Sequence, residues 1–199
     1  MFNLKCFRLG RRCLQLLALI FITTSASLAR DKYETITAQA FGTGTQAGQN
    51  ISVTVLIYEY SAETDRQLLI EAFNKGKDQG LVNALTKMKA VGRISITGTL
   101  GYDLSFIRMI PTPTGRRIRF ITNRQIRFGE AYADAQSLDY NLTAGEIIID
   151  DQDKKKSTGT LYPAAELKLD KEGQLHFDLT QNPWKLVDVL DWKGTPGEN

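Results

Sequence analysis

Residues 51–60 read Ile-Ser-Val-Thr-Val-Leu-Ile-Tyr-Glu-Tyr, and the next thirty change rhythm completely. In the first stretch Ile51, Val53, Val55 and Ile57 share one face of an extended chain, and Leu56, Tyr58 and Tyr60 share the other. The apolar character on both faces of its second half predicts a strand placed centrally in a sheet. From Ser61 the period becomes 3.6. Ser61 is suited to cap a helix, with Glu63 and Asp65 in the first turn, where carboxylates meet the positive end of the helix dipole. Leu68, Leu69, Ala72 and Phe73 form one apolar stripe, and Gly76 is placed to end it. A second stripe, Leu81, Val82, Leu85 and Met88, follows from Asp78 and ends at Gly92. The expectation is a helical hairpin near residues 62–91 set into an otherwise extended chain.

Working outward, the flanks are β in character. Residues 33–41 alternate loosely. Gly42 to Gly48 is a glycine-rich connector, and it leads into a strand without the Lys-Ser/Thr pair or the following helix that a phosphate loop requires. Ile94 and Ile96 alternate with polar residues. Leu104–Ile110 and Arg116–Thr122 flank Pro111-Thr112-Pro113-Thr114-Gly115, a hairpin turn. A long strand is expected from Arg127 to Tyr140, with Ala131, Ala133 and Ala135 on a face that would admit the helices. Another follows from Asn141 to Ile149. Glu166–Asp170 and Gln174–Thr180 form a hairpin about Lys171-Glu172-Gly173. Asn182-Pro183 opens either a short helix or a last strand. The fold class that results is α+β: mainly antiparallel β, about nine to ten short strands in a strongly curved sheet or barrel, with one helical hairpin.

The N-terminus predicts export. Lys5, Arg8, Arg11 and Arg12 precede an apolar run from Cys13 to Ile22, followed by small residues through Ala29. This is the layout of a cleavable signal peptide, and its greasy run of about 10 residues is shorter than the roughly 18 needed to span a bilayer. Cleavage after Ala29 would leave one domain over 30–193, a frayed tail over 194–199, and no transmembrane span. Four of the 25 basic residues depart with the leader and none of the 22 acidic ones. The net charge therefore falls from +3 to −1, which does not suit a general nucleic-acid binder. Both cysteines, Cys6 and Cys13, also lie in the leader, so the remaining domain has no disulfide or thiolate chemistry and must cohere by burial. The expected location is the periplasm or the extracellular space.

No catalytic, metal or cofactor constellation emerges. His176 is the single histidine, too few for a zinc site, and no nucleophile-elbow motif accompanies it. Asp150, Asp151 and Asp153 lack the glycine and distal glutamate of a calcium loop and are followed by Lys154, Lys155 and Lys156. The distinctive feature is charge segregation. Arg108, Arg116, Arg117, Arg119, Arg124 and Arg127 come without an intervening acid. Glu130, Asp134, Asp139, Glu146 and Asp150 then come without an intervening base. One reading pairs the two groups across strands. The other makes Arg117, Arg119, Arg124 and Arg127 a contact for an anionic ligand, because guanidinium captures carboxylate or phosphate in bidentate fashion. The functional expectation is a non-catalytic exported binding or structural protein of the cell envelope, holding a small apolar or anionic ligand or an envelope component. The alternative is an exported hydrolase of unfamiliar type using Glu130, Asp134 or Glu146, since glycoside hydrolysis needs two acids about 5–10 Å apart.

Overall fold

The computed structural model describes residues 33–124, 142–169, 175–179 and 182–192. Among the described residues nine strand segments are present: β1 (Glu34–Phe41), β2 (Asn50–Ile57), β3 (Gly92–Ile96), β4 (Tyr102–Thr112), β5 (Gly115–Thr122), β6 (Leu142–Asp150), β7 (Thr158–Leu169), β8 (Leu175–Leu179) and β9 (Trp184–Trp192). Each pairs antiparallel with its neighbours, from β1 through β2, β3, β4, β5 and β6 to β7. Then β7 pairs with β9, and β9 closes back on β1. The sheet is thus a closed barrel. It has eight positions, not the expected nine or ten. β8 and β9 lie along the same edge of β7, β8 against its C-terminal part and β9 against its N-terminal part. The expected strand over 127–140, with its alanine face, lies outside the described residues, as do the signal peptide and the C-terminal tail.

Alternation along each strand decides what fills the barrel. Ile36, Ala38 and Ala40 of β1 meet Val53, Val55 and Ile57 of β2. Ile94 and Ile96, Leu104 and Ile107, Ile118 and Phe120, Ile147 and Ile149, Leu161, and Trp184, Leu186 and Val189 complete one buried cluster drawn from all eight positions. Side chains occupy the interior to its centre, as expected of a small barrel. Phe120 needs room, and Gly145, its cross-strand partner on β6, provides it: a Cβ there would overlap the phenyl ring.

Bulges let strands change phase. At Ser105 the register of β4 against β5 slips by one residue, so both Leu104 and Ile107 reach the interior. At Pro163 the register of β7 against β6 slips likewise. A proline is tolerated there because a bulged residue need not donate to the ladder, and its carbonyl accepts a hydrogen bond from Thr143 Oγ1 at 2.8 Å. Asp188 sits at φ 50° where β9 slips against β1, and the slip brings Val189 and Asp191 inward.

The expected helical hairpin is present as α1 (Glu63–Lys87), broken at Lys77 by a left-handed φ of 49°. The chain doubles back so tightly that a Cβ on Gly80 would strike the carbonyl of Ala72. Leu69, Phe73, Leu81 and Leu85 bury themselves on the outer wall of the barrel against Phe106, Ile121, Leu142, Ala144 and Ala165. Three local expectations change. Ser61 does not cap the helix. Its N–H and Oγ instead bond Ile107 O and N on β4, at 2.8 and 3.0 Å, and Ala62 takes the cap position. Gly92 begins β3 and does not end the second helix. Tyr58 and Tyr60 are exposed, so the second half of the 51–60 stretch is buried on one face alone. The chain after Asn182-Pro183 is a strand. No helix among the described residues is long and apolar enough to cross a membrane.

Candidate functional site

Two charged groupings come from the strand phases. The first lies on the outer wall. Arg117 and Arg119 project away from the interior positions of Ile118 and Phe120. Both reach Glu146 on β6, with Nε–Oε separations of 3.6 Å for Arg117 and 2.6 Å for Arg119. Register places Arg119 between Glu146 on one side and the exposed Arg108 on the other. The same lateral row continues through Thr160 to Lys185. Two of these arginines thus share one carboxylate, while Arg108, whose charge acts on Glu63, stands directly opposite Arg119, a placing of like charges that is unfavourable in a sheet. Arg124 is not brought to this group. It lies past the end of β5, in a bend where Thr122 Oγ1 accepts from its backbone N–H, with its Nε 3.4 Å from Asn123 Oδ1. Arg127 lies outside the described residues, as do Glu130 and Asp134.

The second grouping is inside one mouth of the barrel, and sequence reasoning did not single it out. Glu34 shares the phase of Ile36, Arg116 that of Ile118, and Asp191 that of Val189. The Arg116 guanidinium bridges Glu34 Oε1 at 2.6 Å and also pairs with Asp191; the three side chains are 15%, 15% and 10% exposed. Tyr60 donates its hydroxyl to Glu34 Oε2 at 2.8 Å from the link between β2 and α1. Burial is the main force raising the Glu34 carboxyl above the usual range, with Asp191 adding to it against the opposing pull of Tyr60 and Arg116. Burial and the Glu34 carboxylate together push the Tyr60 hydroxyl well above the ordinary phenol range. The signal was available: a cation in the apolar phase of a strand requires buried counter-charge.

This pair of carboxylates has a measurable signature. A raised carboxyl favours the folded state in its protonated form, so the contribution of Glu34 is largest at low pH and is lost as pH rises through its folded value. Glu34→Gln keeps an acceptor for Tyr60 and removes the charge. The variant is expected to melt above the parent at pH 7, with the gap narrowing as pH falls toward 4. Thermal melts at the two pH values measure this, and a variant less stable than the parent at pH 7 would contradict it.

Other candidate features resolve as turn chemistry. Asp150 Oδ1 accepts from the backbone N–H groups of Gln152 and Asp153, at 2.9 and 2.8 Å, and these bonds help to hold its pKa below the usual range. Asp153 Oδ1 accepts from Lys155 N, and its carboxylate pairs with Lys156. The 42–48 connector folds about a short 3₁₀ turn, with Thr43 Oγ1 donating to Pro183 O at 2.6 Å, and delivers the chain to β2. His176 stands opposite Lys168 in the β7–β8 ladder. Among the described residues no cluster of His, Cys, Asp and Glu has the arrangement of a metal site. Comparison of the chain with protein-family models, with curated proteins and with solved structures returned no match.

Proposed function

We propose that this chain is a non-catalytic, exported envelope protein that binds a phosphate- or carboxylate-bearing ligand on the outer wall of its barrel. The observation that carries this reading is the Arg108–Arg119 cross-strand opposition, with Arg117 alongside and Glu146 shared by Arg117 and Arg119. Guanidinium groups held on rigid strands are preorganised for bidentate capture of an oxyanion. The interior offers less: it is occupied by Trp184, Phe120 and the aliphatic side chains around them, so a ligand held outside the wall fits better than one held within it.

Of the carboxylates named for a hydrolase, Glu130 and Asp134 lie outside the described residues, and Glu146 faces outward between two arginines. Glu34 and Asp191 do converge, but both end on one guanidinium, which occupies the place a scissile bond would need.

The test uses pyrophosphate in solution and phosphatidylglycerol vesicles as separate probes, with phosphatidylcholine vesicles as control. The Arg117→Gln/Arg119→Gln double variant should bind the preferred probe at least about tenfold more weakly, the equivalent of one lost charge-assisted contact. Binding should also weaken with added salt. Equal binding by parent and double variant would overturn the arginine-wall reading.

A further inference from the structure

Glu146 shows the arginine wall already holding an oxyanion. Its two carboxylate oxygens are divided between two cations. Oε2 accepts from Arg119 Nε at 2.6 Å, and Oε1 lies 3.6 Å from Arg117 Nε. The ladder dictates this division: Glu146 stands directly opposite Arg119, and Arg117 lies two residues back on the same face of β5. The second contact is too long for a hydrogen bond. Arg117 Nε is shielded from solvent and has no hydrogen-bond partner among the described residues, although its side chain as a whole is 38% exposed. A shielded donor left without an acceptor is costly. The cross-strand neighbours of Arg117, Ile110 on β4 and Ile148 on β6, offer no side-chain acceptor. One carboxylate therefore satisfies Arg119 and falls short of Arg117, and the exposed Arg108 adds a third positive charge beside them.

We infer that Glu146 is a built-in competitor for the ligand of this wall, and that the group displacing it is a terminal phosphate and not a carboxylate. This inference rests on the arginine-wall reading and narrows it. Exchanging Glu146 for a free carboxylate would restore the contacts already made and add the cost of immobilising a separate molecule. A phosphate monoester brings more to the exchange. It carries about −1.5 to −2 charge at pH 7 and three acceptor oxygens. That is enough to serve Arg119 and also reach the stranded donor of Arg117. The planar fork of a guanidinium matches phosphate geometry. Glu146 can leave because it stands on the outer wall with 24% of its side chain exposed, where water can receive its charge. Two anions thus compete for one pair of cations, and the charge of Glu146 sets a threshold against weakly charged ligands.

Titration calorimetry at pH 7 with pyrophosphate and with malonate tests the inference. Malonate joins two carboxylates through a one-atom bridge, as pyrophosphate joins two phosphoryl groups. The parent should bind pyrophosphate at least about tenfold more tightly than malonate. Glu146→Gln keeps the shape of the side chain and removes its charge, and it should bind pyrophosphate about tenfold more tightly than the parent. Glu146→Asp, one methylene shorter, should show a smaller gain, and it carries the same test if Glu146→Gln does not fold. Far-ultraviolet circular dichroism of each variant checks that the barrel is intact. Three results would overturn the inference and leave the arginine-wall reading in place. They are pyrophosphate binding unchanged or weakened in folded Glu146→Gln, malonate bound as tightly as pyrophosphate, or binding to phosphatidylglycerol vesicles without binding to pyrophosphate. Two other results would overturn both: no binding of any probe by parent and Glu146→Gln alike, or binding that survives the Arg117→Gln/Arg119→Gln double substitution.

Discussion

Arg116→Met is expected to destabilise the protein by about 3–5 kcal/mol at pH 7. The substitution keeps the length of the side chain but removes the guanidinium that bridges Glu34 and Asp191 in a buried mouth. On a domain of this size the loss corresponds to a fall in Tm of about 6–20 °C. The mechanism predicts its own rescue. Like-charged buried carboxylates take up a proton readily, so the variant should recover stability as pH falls toward 4–5, where the parent changes less. Urea unfolding at pH 7 and pH 4.5 measures both effects. A loss below about 1 kcal/mol would place the cluster among solvent-screened surface pairs and remove its structural role. The Arg116→Met/Glu34→Gln/Asp191→Asn combination should be closer to the parent than Arg116→Met alone, since replacing a whole buried ionic group costs less than removing one partner.

Gly145→Ala should be nearly as damaging, for a reason of shape. The added methyl would occupy the volume of the Phe120 ring, which lies fully buried over Gly145 from the neighbouring strand. The ring must leave its position in the core, a loss comparable to truncating a buried phenylalanine, about 3–5 kcal/mol. In a Phe120→Ala background the same methyl has space, and its cost should fall by about 0.5–3 kcal/mol, the usual range for residues in contact. A double-mutant cycle in urea measures that coupling. Additive costs would show that the two residues do not compete for one volume.

What the sequence disclosed follows the range of the forces involved. The apolar face of Val53, Val55 and Ile57, the hairpin about Pro113-Thr114, the helical hairpin and the antiparallel pairing of β7 with β8 are written in residues a few positions apart, and each is present. The closure of the barrel is not local. Pairing Ile36 with Asp191 joins positions at opposite ends of the chain, and no periodicity in either strand names the other. Bulges were equally silent. A one-residue slip at Ser105 or Asp188 reverses which side chains face the core, so alternation read through those points gives the wrong face. The charged run misled for a related reason. Its arginines read as one group, yet Arg116 is one step out of phase with Arg117. That single residue separates an exposed wall contact from a buried ion cluster. Ser61 misled because its capping chemistry was engaged by Ile107, a strand partner that lies 46 positions away.

The seam between β1 and β9 has a consequence for how the molecule comes into being. Every other ladder joining β1 to β7 can form while the chain is still emerging, but β1 keeps one bare edge until the final strand arrives. Folding therefore ends with a long-range zipping event, entropically expensive and slow beside hairpin formation. Until then the edge of β1, with Glu34 its one charged residue, is a template for any extended chain nearby. Nascent or truncated molecules lacking β9 should consequently be the species that self-associate, and the last nine-residue strand acts as the cover that retires this hazard.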